Sequence, residues 1–274
     1  MPVKDSIKQI IPAPAWNILR KTYSGLVHLP DLPSAYLHPW RRTSMTQLAG
    51  LKNIHKGQRA FIIGNGPSLK QTDMSRLKGE ITFGLNRIYL MFPELGFCTT
   101  YFVSVNDLVI EQCIKDICAL PMPKFLSWHS HRFFPKGPLP ANFLYTTYDN
   151  PAFARDVRRR IWEGATVTYV ALQLAFHMGF GQIILIGVDH NSNVPGKANT
   201  TIVSQGDDPN HFHPGYFGRG FRWQLPDFKT SEIGYRLARQ VYEADGRQVL
   251  DATIGGKLTV FPKVNYNSLF KAVF

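Results

Sequence analysis

The strongest constraint on the fold is the alternation of short apolar runs with helix-length segments between residues 57 and 193. The apolar runs predict strands at 59–63, 81–85, 100–105, 124–128, 143–147 and 182–188. Helices are predicted at 107–120 and 167–178, and Gly179 follows the second one where helices commonly end. Such alternation is typical of an α/β fold with a mostly parallel sheet and helices on both faces.

Composition supports a globular protein and excludes several classes. The chain has 274 residues, of which 44% are hydrophobic, and no apolar run approaches the length of a transmembrane helix. Its N-terminus lacks the apolar core of a secretory signal. Cys98, Cys113 and Cys118 show no metal-ligand spacing and do not suggest a disulfide framework. We therefore expect reduced thiols, a cytoplasmic protein and no bound metal.

The charge balance favours anionic partners. The formal net charge is +12, with 31 Lys and Arg against 19 Asp and Glu. Phosphorylated substrates, acidic glycans and lipid head groups are all compatible with this excess. Nucleic acid is not expected as a partner, because we find no nucleic-acid recognition motif.

A Gly-rich turn follows the first predicted strand. It reads Gly64-Asn65-Gly66-Pro67-Ser68. Exposed amides at a strand-to-helix turn suit a phosphate, and glycines let a ligand approach the backbone closely. The spacing matches neither the P-loop nor the dinucleotide fingerprint. A phosphate or nucleotide site is one interpretation, and a purely structural turn is the other.

Polar residues also follow three other predicted strands. They are Asn86, Asn106, Gly187, Asp189, His190 and Asn191. In a parallel α/β sheet, ligands collect at the carboxyl ends of the strands. These groups therefore predict a shared polar pocket, in which Asn86 and Asn106 would bind sugar hydroxyls or base edges.

The segment before the predicted helix 167–178 offers two interpretations. Thr166 or Thr168 could simply cap the helix. If the helix begins at the pocket, its free amides and a hydroxyl would also bind phosphate.

The order of these motifs resembles a known superfamily. GNGPSLK at 64–70 is followed by Asp73, by F-x-x-N ending at Asn86, by Asn106 and by IILIGVDHN at 183–191. This order is similar to glycosyltransferase family 42 sialyltransferases, to motility accessory factor proteins of flagellin glycosylation and to archaeal 6-hydroxymethylpterin pyrophosphokinases. The similarity covers about residues 55 to 215. The whole chain, including residues 211–223 and 249–264, also looks like proteins encoded near bacterial surface-polysaccharide genes.

The resemblance implies one Rossmann-like nucleotide-sugar-binding domain over 51–274, which includes a lid or catalytic loop at 204–225. It places Gly64, Asn65, Gly66 and Ser68 around the nucleotide phosphate of the donor. Asn86 and Asn106 would contact the donor, and 166–168 would lie where family 42 binds the nucleotide.

The same resemblance matches His211 to the catalytic histidine of family 42. A neutral imidazole can accept the proton of an attacking sugar hydroxyl. His213 could do the same, and either histidine could instead have a structural role. Tyr216 and Trp223 could form an acceptor-binding lid, because sugars stack on aromatic faces.

These features favour a glycosyltransferase that moves a sugar from a nucleotide donor, with a CMP-sugar as one candidate. A surface polysaccharide or a lipid-linked glycan is the expected acceptor, and no cofactor is required. The alternatives are an ATP-dependent pyrophosphokinase, which would need magnesium, and a non-catalytic glycan-binding protein. Residues 1–50 are expected to form a basic N-terminal arm, which either lies in a membrane interface or packs on the domain or on a partner subunit. Association with the inner face of the cytoplasmic membrane and homo-oligomers are further expectations.

Overall fold

A computed structural model describes residues 13–192 and 194–270, and it confirms the predicted α/β fold. Seven parallel strands form the central sheet in the order β11-β8-β1-β2-β3-β4-β5. Their bounds are β1 Arg59–Ile63, β2 Thr82–Leu85, β3 Tyr101–Ser104, β4 Lys124–Ser127, β5 Asn142–Leu144, β8 Gln182–Ile186 and β11 Gln248–Asp251. The strand order reverses at β1, so the cleft between the carboxyl ends of β1 and β8 is the expected ligand position.

Two small sheets accompany the central one. The parallel pair is β6 Thr146–Thr147 with β7 Ile161–Trp162, and the antiparallel pair is β9 Thr201–Val203 with β10 Arg222–Gln224. The strand predicted at 143–147 is therefore divided between two sheets, since 143–144 lie in β5 and 146–147 form β6. After Leu144 the chain leaves the central sheet, and the Tyr145 carbonyl accepts a hydrogen bond from Ile161 N at 2.8 Å.

Eight α-helices are described. They are α1 Ala13–Val27, α2 Leu32–Leu37, α3 Pro39–Gly50, α4 Phe92–Leu95, α5 Asp107–Gln112, α6 Ile114–Ala119, α7 Val167–Met178 and α8 Phe228–Ala244. Short 3₁₀ helices lie at Leu29–Asp31, Pro67–Gln71, Met74–Leu77, Ile88–Met91, Trp128–Phe133 and Tyr266–Phe270. The helix predicted at 107–120 is broken at Cys113, beside a pair of hydrogen bonds that joins the Gln112 side chain to the backbone of Arg222.

Alternate residues of each strand serve two separate cores. Ala60 and Ile62 of β1 pack on one face of the sheet with α7 and α8, whereas Phe61 and Ile63 pack on the other face. Helix α7 is buried from Thr168 to Met178. Because a helix buried along its length cannot move without breaking the core, α7 gives the pocket at its N-terminus a rigid support.

The N-terminal segment packs against the loop between β6 and β7. Arg160 Nη1 donates to Ser24 Oγ at 3.1 Å, and His28 Nε2 lies 2.7 Å from Asp149 Oδ1. Residues 1–12, which belong to the predicted arm, lie outside the described residues. Within residues 13–192 and 194–270, no helix is long and apolar enough to cross a membrane.

Candidate active site

A cavity of about 830 Å³ with a mixed polar and apolar lining lies at the carboxyl ends of the central strands. The sequence-predicted residues that line it are Gly64, Asn65, Gly66, Asn86, Asn106, Thr166, Thr168, Gly187, Asp189, His190, Asn191, His211, Tyr216 and Trp223. Pro67, Ser68 and His213 do not line it. Residues from four strand ends therefore meet in one place, as the parallel topology requires.

The Gly-rich turn packs tightly against the turn that follows β8. Ser68 Oγ donates to Asp189 Oδ2 at 2.6 Å, and Ser68 N donates to Asp189 Oδ1 at 3.1 Å. A Cβ atom on Gly66 would lie 1.8 Å from Asp189 Oδ2, and one on Gly64 would lie 2.2 Å from the Gly187 carbonyl oxygen. The chain thus supplies its own anion to Ser68, and the two glycines are needed for this internal contact.

This packing raises the pKa of the Asp189 carboxyl. Burial raises the pKa of its carboxyl, although hydrogen bonds from Ser68 oppose the shift. The carboxylate that joins the two turns therefore ionises at a higher pH than an exposed aspartate.

Three asparagines at the strand ends have different roles. Asn65 Nδ2 donates to the Leu85 carbonyl at 3.0 Å, while its buried Oδ1 has no partner among the described residues. Asn86 adopts a left-handed backbone with φ 48°, and its Oδ1 accepts from Ser104 Oγ at 3.0 Å. Asn106 Oδ1 caps α5 by accepting from two backbone amides. Asn65 and Asn86 both line the cavity, but the unpartnered Asn65 Oδ1 is buried, so the Asn86 amide nitrogen is the group left for a ligand.

Helix α7 begins at the cavity after a tight bend. Gly164 and Ala165 both have positive φ, at 60° and 56°. Thr166 is the N-cap, and its Oγ1 accepts from Thr168 N at 3.3 Å. The capping role is therefore observed, and the same two threonines line the cavity. A left-handed alanine is an uncommon conformation, and such strain is concentrated at functional sites.

The loop that carries the predicted base places His211 at the cavity wall. Its Nδ1 lies 2.7 Å from Oδ2 of the buried Asp208. The Tyr216 ring stacks on the imidazole, with ring centroids 3.9 Å apart and an interplanar angle of 7°. The loop is fastened to the first strand end because Phe212 N donates to the Asn65 carbonyl at 2.9 Å.

This arrangement can orient a general base. With the Nδ1 proton donated to Asp208, Nε2 is the ring nitrogen left to accept a proton. His213 differs, since its Nδ1 accepts from Gly215 N at 3.0 Å and its ring lies outside the cavity.

Comparison with known proteins identifies the family. Residues 40–194 match the sequence profile of the MptE-like 6-hydroxymethylpterin diphosphokinases, which is more than half of the chain. The chain belongs to the MptE-like family. The matched range contains the Gly-rich turn, the asparagines and the start of α7, but it ends before His211. The resemblance to this superfamily is therefore confirmed.

The MAf glycosyltransferase from Magnetospirillum magneticum AMB-1 is similar in fold, with 14% identity and a TM-score of 0.48. The alignment covers 85% of this chain and 39% of that chain, so the chain spans about two fifths of that protein. The search of curated proteins returned no match.

The structure also brings residues of this MptE-like protein to the cavity that sequence reasoning missed. Glu163, directly before the bend into α7, is buried and lines the cavity, and burial raises its pKa to about 8. Its Oε1 has no hydrogen-bond partner among the described residues. Tyr148 and Asp208 also lie at this site, the first in the wall and the second behind His211. The D-x-x-H spacing of Asp208 and His211 is the one signal that could have indicated their pairing.

Two further predicted residues already have partners. His190 Nε2 lies 3.3 Å from Glu232 Oε1, and its ring packs edge-on against Phe228. Trp223 stacks on Phe217 with centroids 5.1 Å apart. In the described part of the chain, no group of three or more His, Cys, Asp or Glu residues is arranged to hold a metal ion.

Proposed function

We propose that this protein is a glycosyltransferase that moves a sugar from a nucleotide donor to a hydroxyl of a glycan or lipid-linked acceptor. The observation that carries the proposal is the His211–Asp208 pair, with His211 at the wall of the cavity. A transfer to a hydroxyl needs a base that takes up one proton, and a carboxylate-oriented imidazole is suited to this task.

The proposed reaction assigns one task to each part of the pair. The acceptor oxygen attacks the anomeric carbon of the donor, and its proton passes to His211 Nε2. The bond from the anomeric carbon to the nucleotide oxygen breaks, and the nucleotide leaves with the electron pair. Asp208 stabilises the imidazolium that forms, while the stacked Tyr216 ring holds the imidazole in place.

The donor would occupy the part of the cavity bounded by the strand ends and α7. Asn65 and Asn86 line this part of the cavity, and the Asn86 amide nitrogen would bind sugar or base atoms. The start of α7 offers the Val167 amide and the positive end of the helix dipole to phosphate, because the Thr166 and Thr168 amides already donate within the chain. A CMP-sugar is the first donor to test, because the superfamily resemblance includes the family 42 enzymes.

Family membership favours a second candidate function. The matched profile is that of 6-hydroxymethylpterin diphosphokinases, so transfer of a diphosphate from ATP to a pterin alcohol is the alternative. The same base would then deprotonate the pterin hydroxymethyl group, and magnesium would accompany ATP. A glycan-binding protein without catalysis is the third candidate.

Ligand-dependent thermal unfolding separates these functions. A ligand that binds only the folded state raises the melting temperature. Under the proposal, CMP or another nucleoside phosphate of sugar donors stabilises the protein, whereas ATP with magnesium does so under the alternative. Formation of pterin diphosphate from ATP would overturn the proposal in favour of the alternative. Binding of glycan without turnover of any nucleotide sugar would favour the third candidate.

Two histidine variants then test the catalytic assignment. His211→Gln should lower the transfer rate by at least about a hundredfold, because the general base is lost, while nucleotide binding persists. His213→Gln is the matched control, since that ring lies two residues away and outside the cavity. Transfer by His211→Gln at the wild-type rate would remove His211 from the mechanism.

A further inference from the structure

The N-terminal segment has an unusual surface. Among the described residues, thirteen large hydrophobic side chains are exposed, and eight of them fall between positions 18 and 37. The eight are Ile18, Leu19, Tyr23, Leu26, Val27, Leu29, Leu32 and Leu37, and we call them the N-terminal apolar patch. Exposed apolar residues scattered singly are ordinary, whereas a concentration of this kind marks an interaction surface.

Helix α1 exposes apolar side chains that a normal surface helix would bury. In a surface helix the apolar stripe faces the core. Here Ile18, Tyr23 and Leu26 are 66%, 65% and 60% exposed, whereas Ser24 is 1% exposed and receives the hydrogen bond from Arg160. Ser24 thus makes a polar contact with the rest of the protein, while these three apolar side chains remain exposed.

Positive charge accompanies the patch. From residue 13 to residue 58 the sequence contains five Lys and Arg besides the buried Arg41, and Asp31 is the one acidic residue. A groove of about 550 Å³ begins at Tyr36 of α2, and its charged lining residues are Arg42, Asp156, Arg158 and Arg159. Arg158 is paired with Asp156 at 2.6 Å, whereas neither Arg42 nor Arg159 has a carboxylate partner among the described residues.

From these observations we propose that α1, α2 and the arginine groove form a surface that docks on an anionic lipid bilayer. Apolar side chains would enter the boundary between head groups and acyl chains, and the arginines would contact lipid phosphates. The combination of apolar area with basic residues and few acidic ones matches an anionic bilayer in chemistry. The surface would act in this way whatever reaction the cavity performs.

Helix α1 is attached to a loop whose neighbouring residues in the chain line the cavity. The loop held by Ser24 and His28 runs from Asp149 to Arg160. Tyr148, immediately before this loop, and Glu163, shortly after it, both line the cavity. A bilayer bound at the patch would therefore be connected, through α1, to the loop that leads into the cavity wall.

Vesicle sedimentation of the full chain tests the proposal. Phosphatidylcholine vesicles containing phosphatidylglycerol should bind the protein, and the triple variant Leu19→Gln/Tyr23→Gln/Leu26→Gln should lower binding by at least about tenfold. The matched control is Ile54→Gln/Ile233→Gln/Ile254→Gln, which removes three exposed apolar side chains elsewhere and should bind as the wild type does. Equal melting temperatures of the variants and the wild type show that each remains folded.

The charge contribution has its own variant. Arg42→Gln/Arg159→Gln should lower binding to the phosphatidylglycerol vesicles by about tenfold or more and leave the weaker binding to pure phosphatidylcholine unchanged. Wild-type binding by the apolar triple variant, or equal losses in both triple variants, would overturn the proposal. So would a wild-type dimer in light scattering that the apolar triple variant converts to a monomer, because a second copy would then cover the patch.

Discussion

Replacing Glu163 with glutamine should stabilise the protein at neutral pH but not in mild acid. The carboxyl is buried, its pKa in the folded protein is about 8, and its ordinary value is 4.5. Below about pH 4.5 the group is neutral in both the folded and the unfolded state, so it imposes no ionisation cost. Between the two pKa values the folded protein retains a proton that the unfolded chain releases. The free energy of unfolding therefore falls as the pH rises through this window.

The size of the effect follows from the width of the window. Each pH unit inside it changes the free energy by about 1.36 kcal/mol. Between about pH 5 and about pH 7 the carboxyl should remove about 2.5 kcal/mol of stability. For a chain of this size, that loss corresponds to roughly 5–10 °C in melting temperature. Glutamine has no proton to release, so the Glu163→Gln variant lacks this pH dependence.

Melting curves of both proteins at several pH values measure the effect. The quantity to follow is the difference in melting temperature between the variant and the wild type, since other titrating groups cancel in this difference. Glu94→Gln, which changes an exposed glutamate, is the control and should show no trend. A difference that is constant from mild acid to neutral pH would show that Glu163 is ionised in the folded protein, and the reasoning from burial would fail.

Three other substitutions test separate features. Asp208→Asn should slow transfer by at least about tenfold, measured as product formation, while stabilisation by bound nucleotide persists; an unchanged rate would remove the carboxylate from the mechanism. Gly66→Ala should lower the free energy of unfolding, measured with denaturant, by at least about 2 kcal/mol, because the new Cβ would overlap the Asp189 carboxylate. The control is Gly206→Ala, whose Cβ would meet nothing within 4 Å, and it should change this free energy by less than about 0.5 kcal/mol. Arg41→Met should not lower the free energy of unfolding, since the buried guanidinium has unpartnered Nε and Nη1 atoms and burial lowers its pKa to about 10. A loss of stability above roughly 2 kcal/mol would contradict this expectation.

The strands of the central sheet could be predicted from the sequence, because short-range patterns of apolar residues determine them. The apolar runs indicate strands, and Gly179 marks the end of α7. Both β1 and α7 have the predicted bounds. The polar strand ends could be grouped without contact information, since parallel strands present their carboxyl ends at one edge. The break at Cys113 could not be predicted, because it accompanies a contact between Gln112 and the distant Arg222.

The chemistry of single residues at the site depends on long-range packing. Ser68 and Asp189 are 121 positions apart, so the sequence could not show that the turn binds an internal carboxylate. Glu163 has the sequence context of an ordinary surface glutamate, and its high pKa arises from burial by the folded chain. His211 was identified through a family motif, while its orientation depends on Asp208 and on the stacked ring of Tyr216.

The close contact between Gly66 and Asp189 has a consequence for the history of the family. The space that a side chain at position 66 would need is already occupied by the carboxylate of Asp189. Drift at either position is therefore constrained by its partner, and the two should change together across homologues. A lineage that replaced the aspartate with a smaller residue would gain room for alanine or serine in the first turn, whereas lineages that keep the aspartate should keep glycine.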